Sequence, residues 1–290
     1  MPKISLSTWS LFSKLSCIRS IQFAVENEFE GIEIWSNAFD FWPRTVTSRE
    51  IETIRSLARE NKLSLAVHFC TANNNLADLN PGHLNESMNQ LKETVRLCRR
   101  IGGQTVIIHP GTYSDVFPSC DRFISTKFTP SILKQAAIGH FKKSLKEAAL
   151  FAEGHDVVIG LENFSSNSHC ILTSIEDIAE WVDQINNSAL KVTLDIGHAN
   201  IGGGVIRVIN LLGDRIGHIH VHDNNGNGTQ HGELGTGTVD WKSISPFLKS
   251  FPGMLSLEIS DQSDAEGAIL RSKAFLEKLL SGGKSSLAKK

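Results

Sequence analysis

The feature that most constrains the fold of this chain is a regular alternation of short apolar runs with segments of helical periodicity. Eight runs are rich in β-branched and other apolar residues, which predicts strands. Consecutive apolar runs are typical of parallel strands that are buried on both faces. We therefore expect an α/β fold, a closed (β/α)8 barrel, with strands at residues 4–8, 31–35, 64–69, 105–109, 157–162, 191–195, 216–222 and 254–259.

Amphipathic segments between the runs predict helices at residues 47–61, 83–101, 131–153, 174–185 and 264–280. Two of these segments start with capping-box spacing, a hydroxyl residue followed three positions later by a glutamate. The pairs are Thr47 with Glu50 and Thr173 with Glu176. Both pairs predict helix starts.

Length and composition indicate one ordinary globular domain. The chain has 290 residues, of which 40% are hydrophobic and 21% charged, and α/β barrels of this length commonly form a single domain. We expect this domain to span residues 1–280 and to be followed by a flexible C-terminal tail, residues 281–290. The formal net charge of -2 provides no basic field that would attract nucleic acid.

The cysteines and the hydropathy pattern bear on the compartment. Five cysteines, an odd number without a C-x-x-C pair, favour a reducing environment over a disulfide framework. The sequence has no charged leader followed by an apolar stretch and no run of eighteen apolar residues. We therefore expect a cytoplasmic protein without a membrane partner.

Acidic and histidine residues recur at the carboxyl ends of the predicted strands. Parallel strands in a barrel direct these ends to one common face, where active sites lie. Three carboxylates and one imidazole from strands five to eight would suit Mn²⁺, Mg²⁺, Zn²⁺ or Co²⁺, and a divalent cation would offset their mutual repulsion. Each residue alone would more simply be a salt-bridge or capping partner, but four at matching positions favour a metal site. They are Glu162, Asp195, His220 and Glu258.

Several motifs give the chain a resemblance to a known family. They are Leu161-Glu-Asn163, Leu194-Asp-Ile-Gly-His198, His220-Val-His-Asp223, His231 followed by Leu234-Gly-Thr-Gly237, and Leu257-Glu258. From Ile4 to about Leu280 the chain resembles the xylose isomerase-like TIM barrels. That superfamily includes sugar (phosphate) isomerases and epimerases as well as apurinic-site nucleases of the endonuclease IV type.

In the isomerase and epimerase branch, the resemblance implies one divalent metal held by the four strand-end ligands. The metal would polarise a substrate carbonyl and stabilise an enediolate. Glu162 and Glu258 would exchange the proton on opposite faces of a small sugar or sugar phosphate. His198 would bind a substrate hydroxyl or support a ligand. Whether the chain forms a homo-oligomer stays open.

The nuclease branch implies up to three zinc ions and a nucleic-acid partner. His68 and His109 would join Glu162 at one zinc. His198 and His231 would serve another, but Thr229 stands where an aspartate is expected, and a neutral hydroxyl is a poor zinc ligand. The sequence therefore favours sugar chemistry and keeps the apurinic/apyrimidinic endonuclease as an alternative.

Other residues near the expected site have competing interpretations. His68 and His109 would also fit substrate-contacting or structural roles. His218 and His222 should share a side of their strand with His220, and we assign them structural or supporting roles. Trp9 and Trp35 lie at the ends of strands one and two. They would either form walls of the substrate pocket or close the mouth of the barrel as hydrophobic plugs. A third alternative is a non-catalytic metal- or sugar-binding barrel, because fold alone does not establish catalysis.

Overall fold

The computed structural model describes residues 1–37, 39–113, 130–164, 170–172, 174–261 and 263–282. Its strands form a closed parallel barrel in sequence order, with β1 paired to both β2 and β8. The prediction of a single-domain (β/α)8 barrel is confirmed. The strands are β1 Lys3–Ser7, β2 Gly31–Trp35, β3 Ser64–His68, β4 Thr105–Ile108, β5 Val158–Glu162, β6 Leu190–Asp195, β7 Ile216–Val221 and β8 Met254–Leu257.

Helices surround the barrel and connect its strands. They are α1 Cys17–Glu26, α2 Ser48–Glu60, α3 Pro81–Ile101, α4 Pro130–Glu153, α5 Ile175–Ile185, α6 Ile196–Ile201, α7 Val205–Leu212, α8 Trp241–Ser250 and α9 Ala265–Leu280. Short 3-10 helices occur at Thr8–Leu11 and Gly213–Arg215.

The capping boxes explain where two helices begin. The predicted box at Thr47 and Glu50 starts α2, with both reciprocal hydrogen bonds formed. The second prediction was wrong by one residue, because the box that starts α5 consists of Ser174 and Asp177. Asp177 accepts from the backbone N–H of Ser174, so the shorter acid also closes the box.

Apolar packing between the barrel and its helices forms the main core. Phe141 of α4 is fully buried there, and its truncation to alanine would cost about 3–5 kcal/mol. A smaller, separate cluster consists of Ala66, Ile107 and Met254. Ala66 and Ile107 lie two positions before His68 and His109, and Met254 lies four positions before Glu258, so side-chain alternation puts the cluster inside the barrel, below the polar end.

The predicted C-terminal tail and the connection after β4 fall partly outside the described residues. Of the predicted tail only residues 281 and 282 are described, and the long connection after β4 is described only up to residue 113 and from residue 130. Among the described cysteines, Cys17, Cys70 and Cys98 are free thiols. Within the described part of the chain, no helix has the length and apolar character needed to cross a membrane.

Candidate metal centre

The four predicted ligands come together at the carboxyl end of the barrel. Glu162 and Asp195 end β5 and β6, His220 lies in β7, and Glu258 directly follows β8. One ligand atom from each residue lies within 4.8 Å of the others. All four side chains are almost completely buried. The barrel therefore concentrates three carboxyl groups and one imidazole in a space the size of a metal site.

His220 points one ring nitrogen at the three carboxylates. Its Nδ1 lies 3.5 Å from Glu162 Oε1, 3.5 Å from Glu258 Oε2 and 3.9 Å from Asp195 Oδ2. This buried nitrogen has no hydrogen-bond partner among the described residues. Buried polar atoms are nearly always paired, and an unpaired nitrogen facing carboxylate oxygens is suited to a cation. Nitrogen with oxygen donors fits the divalent ions predicted from the sequence.

The two glutamates of this cluster have opposite pKa shifts. Burial would raise the pKa of Glu162, but the adjacent His109 and His220 imidazoles bring it well below its usual value. Burial raises the pKa of Glu258 to about 7, and the nearby carboxylates of Glu33 and Glu162 act in the same direction. At neutral pH, Glu162 is therefore ionised while Glu258 divides between its two protonation states.

The histidine and the aspartate of the cluster are also perturbed. Burial lowers the pKa of His220, but the surrounding Glu258, Glu33 and Glu162 raise it well above its usual value. Burial would raise the pKa of Asp195, but His198 and His222 bring it below its usual range. A divalent cation would compete with the His220 proton, since the metal ligand is the neutral imidazole.

His68 and His109 both lie against Glu162. His68 Nε2 is 3.3 Å and His109 Nε2 is 3.0 Å from Glu162 Oε2. His68 Nδ1 donates to the carbonyl of Phe69 at 3.0 Å, so in the neutral ring Nε2 carries the lone pair. These two histidines and Glu162 form a second group of ligand atoms within 4.8 Å.

A third group consists of His198, His222 and His231. His222 and His231 stack with their ring centroids 3.8 Å apart, and His222 Nε2 lies 3.1 Å from Asp195 Oδ2. Thr229, the residue that interrupts the expected ligand pattern, is exposed. His222, to which we assigned only a supporting role, brings a third imidazole to this group.

Hydrogen bonds fix which nitrogen His198 and His231 can offer. His198 Nδ1 donates to Asn163 O at 3.0 Å, and His231 Nδ1 donates to Glu258 O at 3.1 Å. Carbonyl oxygens only accept, so Nε2 carries the lone pair in each neutral ring. Burial lowers the pKa of His231 to about 4, which keeps it neutral at pH 7.

Gly197 makes room for His222. A Cβ atom at position 197 would lie 1.9 Å from His222 Cε1, far inside contact distance. His222 Nδ1 is buried and has no hydrogen-bond partner among the described residues. The glycine of the Leu194-Asp-Ile-Gly-His198 motif therefore allows an imidazole to reach Asp195.

Glu33 is the site residue that the sequence analysis missed. It lies in β2, is fully buried, and its Oε2 accepts from His218 Nε2 at 2.7 Å and from His220 Nε2 at 3.0 Å. A recognisable signal was present, because Glu33 stands between Ile32 and Ile34 in a run predicted to be buried. A charged residue in such a position requires a partner inside the protein.

The two tryptophans differ in their distance from these histidines. Trp9 packs on His231, with ring centroids 4.8 Å apart. Trp35 contacts Phe12 edge-on at 4.9 Å, and its backbone is in register with His68 of β3. Trp9 thus adjoins the site directly, whereas Trp35 lies at the end of β2 near the mouth of the barrel.

A cavity of about 770 Å³ opens beside the site. His109 and Phe164 line its inner side, and Phe164 packs between His109 and His198 at centroid distances of 5.1 and 5.0 Å. Asn73 and Asn74 contribute to another wall. The cavity has space for a sugar-sized molecule and combines aromatic with amide groups, as small-molecule sites do.

Comparisons with known proteins agree with this architecture. A family described as xylose isomerase-like TIM barrel matches residues 21–279. D-psicose 3-epimerase of Enterocloster bolteae is 27% identical over 205 residues, 70% of this chain and 63% of that protein. Probable endonuclease 4 of Pediococcus pentosaceus is 22% identical over 258 residues, 81% of this chain and 79% of that protein. The crystal structure of a D-tagatose 3-epimerase-like protein has a TM-score of 0.82 at 22% identity and covers 99% of this chain and 100% of that chain. The chain belongs to the xylose isomerase-like TIM barrel family.

Proposed function

We propose that the protein is a divalent-metal-dependent isomerase or epimerase of a sugar or sugar phosphate. The observation that carries this proposal is that Glu162 and Glu258 belong to one buried ligand cluster, together with Asp195 and His220. An enzyme that moves a proton needs one group ready to accept it and another ready to return it. The similarity to a D-psicose 3-epimerase supports the same reaction class.

Glu162, Asp195, His220 and Glu258 would hold the cation, with Mn²⁺, Mg²⁺, Zn²⁺ and Co²⁺ as candidates. When bound, it would act as a Lewis acid on a substrate carbonyl, which makes the adjacent C–H bond more acidic. His220 Nδ1, which is buried and has no hydrogen-bond partner in the described part of the chain, supports this assignment.

The chain's own groups would carry the proton. Glu162, ionised at neutral pH, would accept the proton from the carbon beside the carbonyl. Glu258, the other glutamate of the cluster, would return a proton to the substrate, so that repeated transfer inverts or isomerises it. His198 and Trp9 would contribute a hydrogen-bonding group and an apolar surface to substrate binding.

Isotope exchange tests this proposal. The protein, loaded in turn with each candidate metal, is incubated with a panel of ketoses and ketose phosphates in D₂O. We expect deuterium to enter next to the carbonyl of at least one substrate, and Glu162→Gln to abolish this entry. Absence of deuterium across the whole panel, with metal bound, would overturn the proposal.

A second candidate is an apurinic/apyrimidinic endonuclease with a zinc cluster. The observation in its favour is that three groups of ligand atoms lie side by side: the four-residue cluster, His68 with His109 and Glu162, and the three histidines. The similarity to probable endonuclease 4 points the same way. Three zinc ions per chain together with cleavage of an abasic duplex would establish this function in place of the first.

The two tests together also identify a third outcome. A chain that binds a metal but neither exchanges deuterium nor cleaves abasic DNA would be a non-catalytic binding barrel. The site chemistry argues against it, because three buried carboxyl groups without a bound cation are electrostatically unfavourable.

A further inference from the structure

We propose that Glu33 is a positioning residue that orients His220 for metal binding. Its carboxylate accepts the Nε2–H of His220, which turns the other ring nitrogen toward Glu162, Asp195 and Glu258. The inference rests on the proposed metal centre and assigns a role to a residue that no ligand motif of the chain includes.

The contact between Glu33 and His220 crosses the inside of the barrel. Glu33 belongs to β2 and His220 to β7, and these strands are not neighbours in the closed sheet. The two atoms, Glu33 Oε2 and His220 Nε2, are 3.0 Å apart, and both side chains are fully buried. Water therefore does not screen the interaction, and its geometry is set by the barrel itself.

The chemistry of an ionised carboxylate gives the contact a direction. A carboxylate only accepts hydrogen bonds, so the proton at this contact must be on His220 Nε2. The lone pair of the neutral imidazole then lies on Nδ1, the nitrogen that faces three carboxyl groups and has no hydrogen-bond partner among the described residues. Metal-binding histidines commonly donate their second N–H to a carboxylate in this way, and the carboxylate makes the ligand more basic.

The surroundings of Glu33 favour the ionised form of its carboxylate. Burial would raise the pKa of Glu33, but His220 and His218 lower it well below its usual value. His218 Nε2 donates to the same oxygen at 2.7 Å and lies 3.0 Å from Ser256 Oγ. The buried network thus continues from His220 through Glu33 and His218 to Ser256, away from the ligand cluster.

A direct ligand role for Glu33 is the competing explanation. Its second oxygen, Oε1, is buried without a hydrogen-bond partner among the described residues, and Glu33 lies within ligand distance of His68 and Glu258. The positioning role is better supported, because Oε2 already accepts two N–H groups and meets His220 at Nε2, whereas the ligand cluster meets it at Nδ1.

Metal affinity separates these roles. Co²⁺ and Zn²⁺ binding is measured by competition with a chelator for the wild type, Glu33→Gln and Ser256→Ala. Glu33→Gln keeps the size of the side chain and removes its charge, so we expect the dissociation constant to rise by about 10- to 100-fold. Ser256→Ala is the matched control from the same buried network, because the Ser256 hydroxyl pairs with Ser5 Oγ and His218 Nε2 and not with the His220 ring. Its dissociation constant should change by less than about twofold.

A second readout needs neither metal nor turnover. In NMR spectra of protein labelled with ¹⁵N-histidine, the proton on His220 Nε2 should give a downfield signal that is protected from exchange with solvent in the metal-free wild type. Glu33→Met, which removes the acceptor, should abolish this protection, while Ser256→Ala should retain it. A folded Glu33→Met that keeps the protected signal would contradict the proposed hydrogen bond, even if Glu33→Gln precipitates.

Two results would overturn the proposal. If the metal dissociation constant of Glu33→Gln stays within about twofold of the wild-type value, Glu33 does not support metal binding. If it rises by more than about 1000-fold while the His220 signal is unchanged, Glu33 is itself a metal ligand. Failure of the proposed function is distinguishable, because wild-type protein would then bind metal and show the His220 signal without exchanging deuterium into any sugar.

Discussion

Two buried acids near the carboxyl end of the barrel, Asp223 and Glu162, have opposite surroundings. Asp223 accepts from the backbone N–H groups of Asn224, Val239 and Gly235 at 2.9–3.2 Å and from Trp241 Nε1 at 2.8 Å. Glu162 has imidazoles instead. The ring nitrogens lie 3.0–3.6 Å from its oxygens and belong to His68, His109, His198 and His220.

The difference lies in whether the partners can change. Amide and indole N–H groups keep their protons at every ordinary pH, so the hydrogen-bond partners of Asp223 do not change, and they fix the loop between β7 and α8. Imidazoles titrate and can give up a proton to make room for a cation. A buried acid surrounded by fixed donors is therefore structural, and one surrounded by imidazoles is suited to metal binding and proton transfer.

The largest expected effect is that of Glu162→Gln. This change removes a proposed metal ligand and the proposed base together, so deuterium exchange should fall by about 10³-fold or more. Metal titration of the same variant should show weaker binding. Asp223→Asn is the matched control at the other buried acid, and it should bind metal as the wild type does. If Glu162→Gln exchanges deuterium at more than a tenth of the wild-type rate, the proposed difference between Glu162 and Asp223 is contradicted.

Asp223→Ala should produce the opposite result, a loss of stability without loss of the site. Four N–H donors would lose a charged acceptor inside the protein, so the free energy of unfolding should fall by about 3 kcal/mol or more. Urea unfolding measures this fall. The metal affinity of the variant, measured at urea concentrations below the unfolding transition, should stay within about threefold of the wild-type affinity. Unchanged stability with lost metal binding would reverse the roles of the two acids.

The barrel itself was predictable because its signals are local. Apolar runs and helical periodicity depend on neighbouring residues, and they correctly predicted eight strands and the start of α2 at Thr47. The start of α5 was misplaced by one residue, since both Thr173 and Ser174 are followed three positions later by an acid in the sequence. Sequence spacing alone cannot choose between two adjacent capping residues.

The site was predictable only in part, because it combines residues from opposite sides of the barrel. Strand-end positions identified Glu162 and His220, whose position in the barrel follows from their own strands. Glu33 escaped because its role depends on a contact across the barrel, from β2 to β7. His222 was assigned only a supporting role, because its contact with Asp195 at the end of the neighbouring β6 is not visible in the sequence. A single sequence does not reveal such pairs, although an acid in a buried strand is a usable warning.

Gly197→Ala tests how closely an imidazole partner must approach its acid. The added methyl group would overlap the ring of His222, which contacts Asp195, so we expect a cost of about 1–3 kcal/mol in unfolding free energy. Gly139 of α4 provides the control, because a Cβ atom there would meet no atom within 4 Å. Gly139→Ala should raise stability by about 0.5–1 kcal/mol. Equal effects of the two substitutions would argue against tight packing at His222.

The smallest expected effect is a pH dependence that comes from the imidazole-rich site. His231 has a pKa of about 4 in the folded protein, below its unfolded value of about 6.5. The folded state therefore resists protonation, and the stability that His231 contributes is complete above about pH 6.5 and is lost as the pH falls toward 4. Between pH 7 and pH 5 the free energy of unfolding should decrease by about 1–2 kcal/mol from this group.

His231→Asn isolates this contribution. Residue 231 has a positive φ of 48°, a conformation that asparagine tolerates, so the backbone should keep its path. Urea unfolding of the metal-free protein at pH 7 and pH 5 should show a smaller decrease for the variant than for the wild type. Asp223→Asn should leave the wild-type decrease in place, because the donors around position 223 do not titrate in this range. If His231→Asn and the wild type lose the same stability over this interval, other groups carry the pH dependence, and the contrast between titrating and fixed partners does not extend to His231.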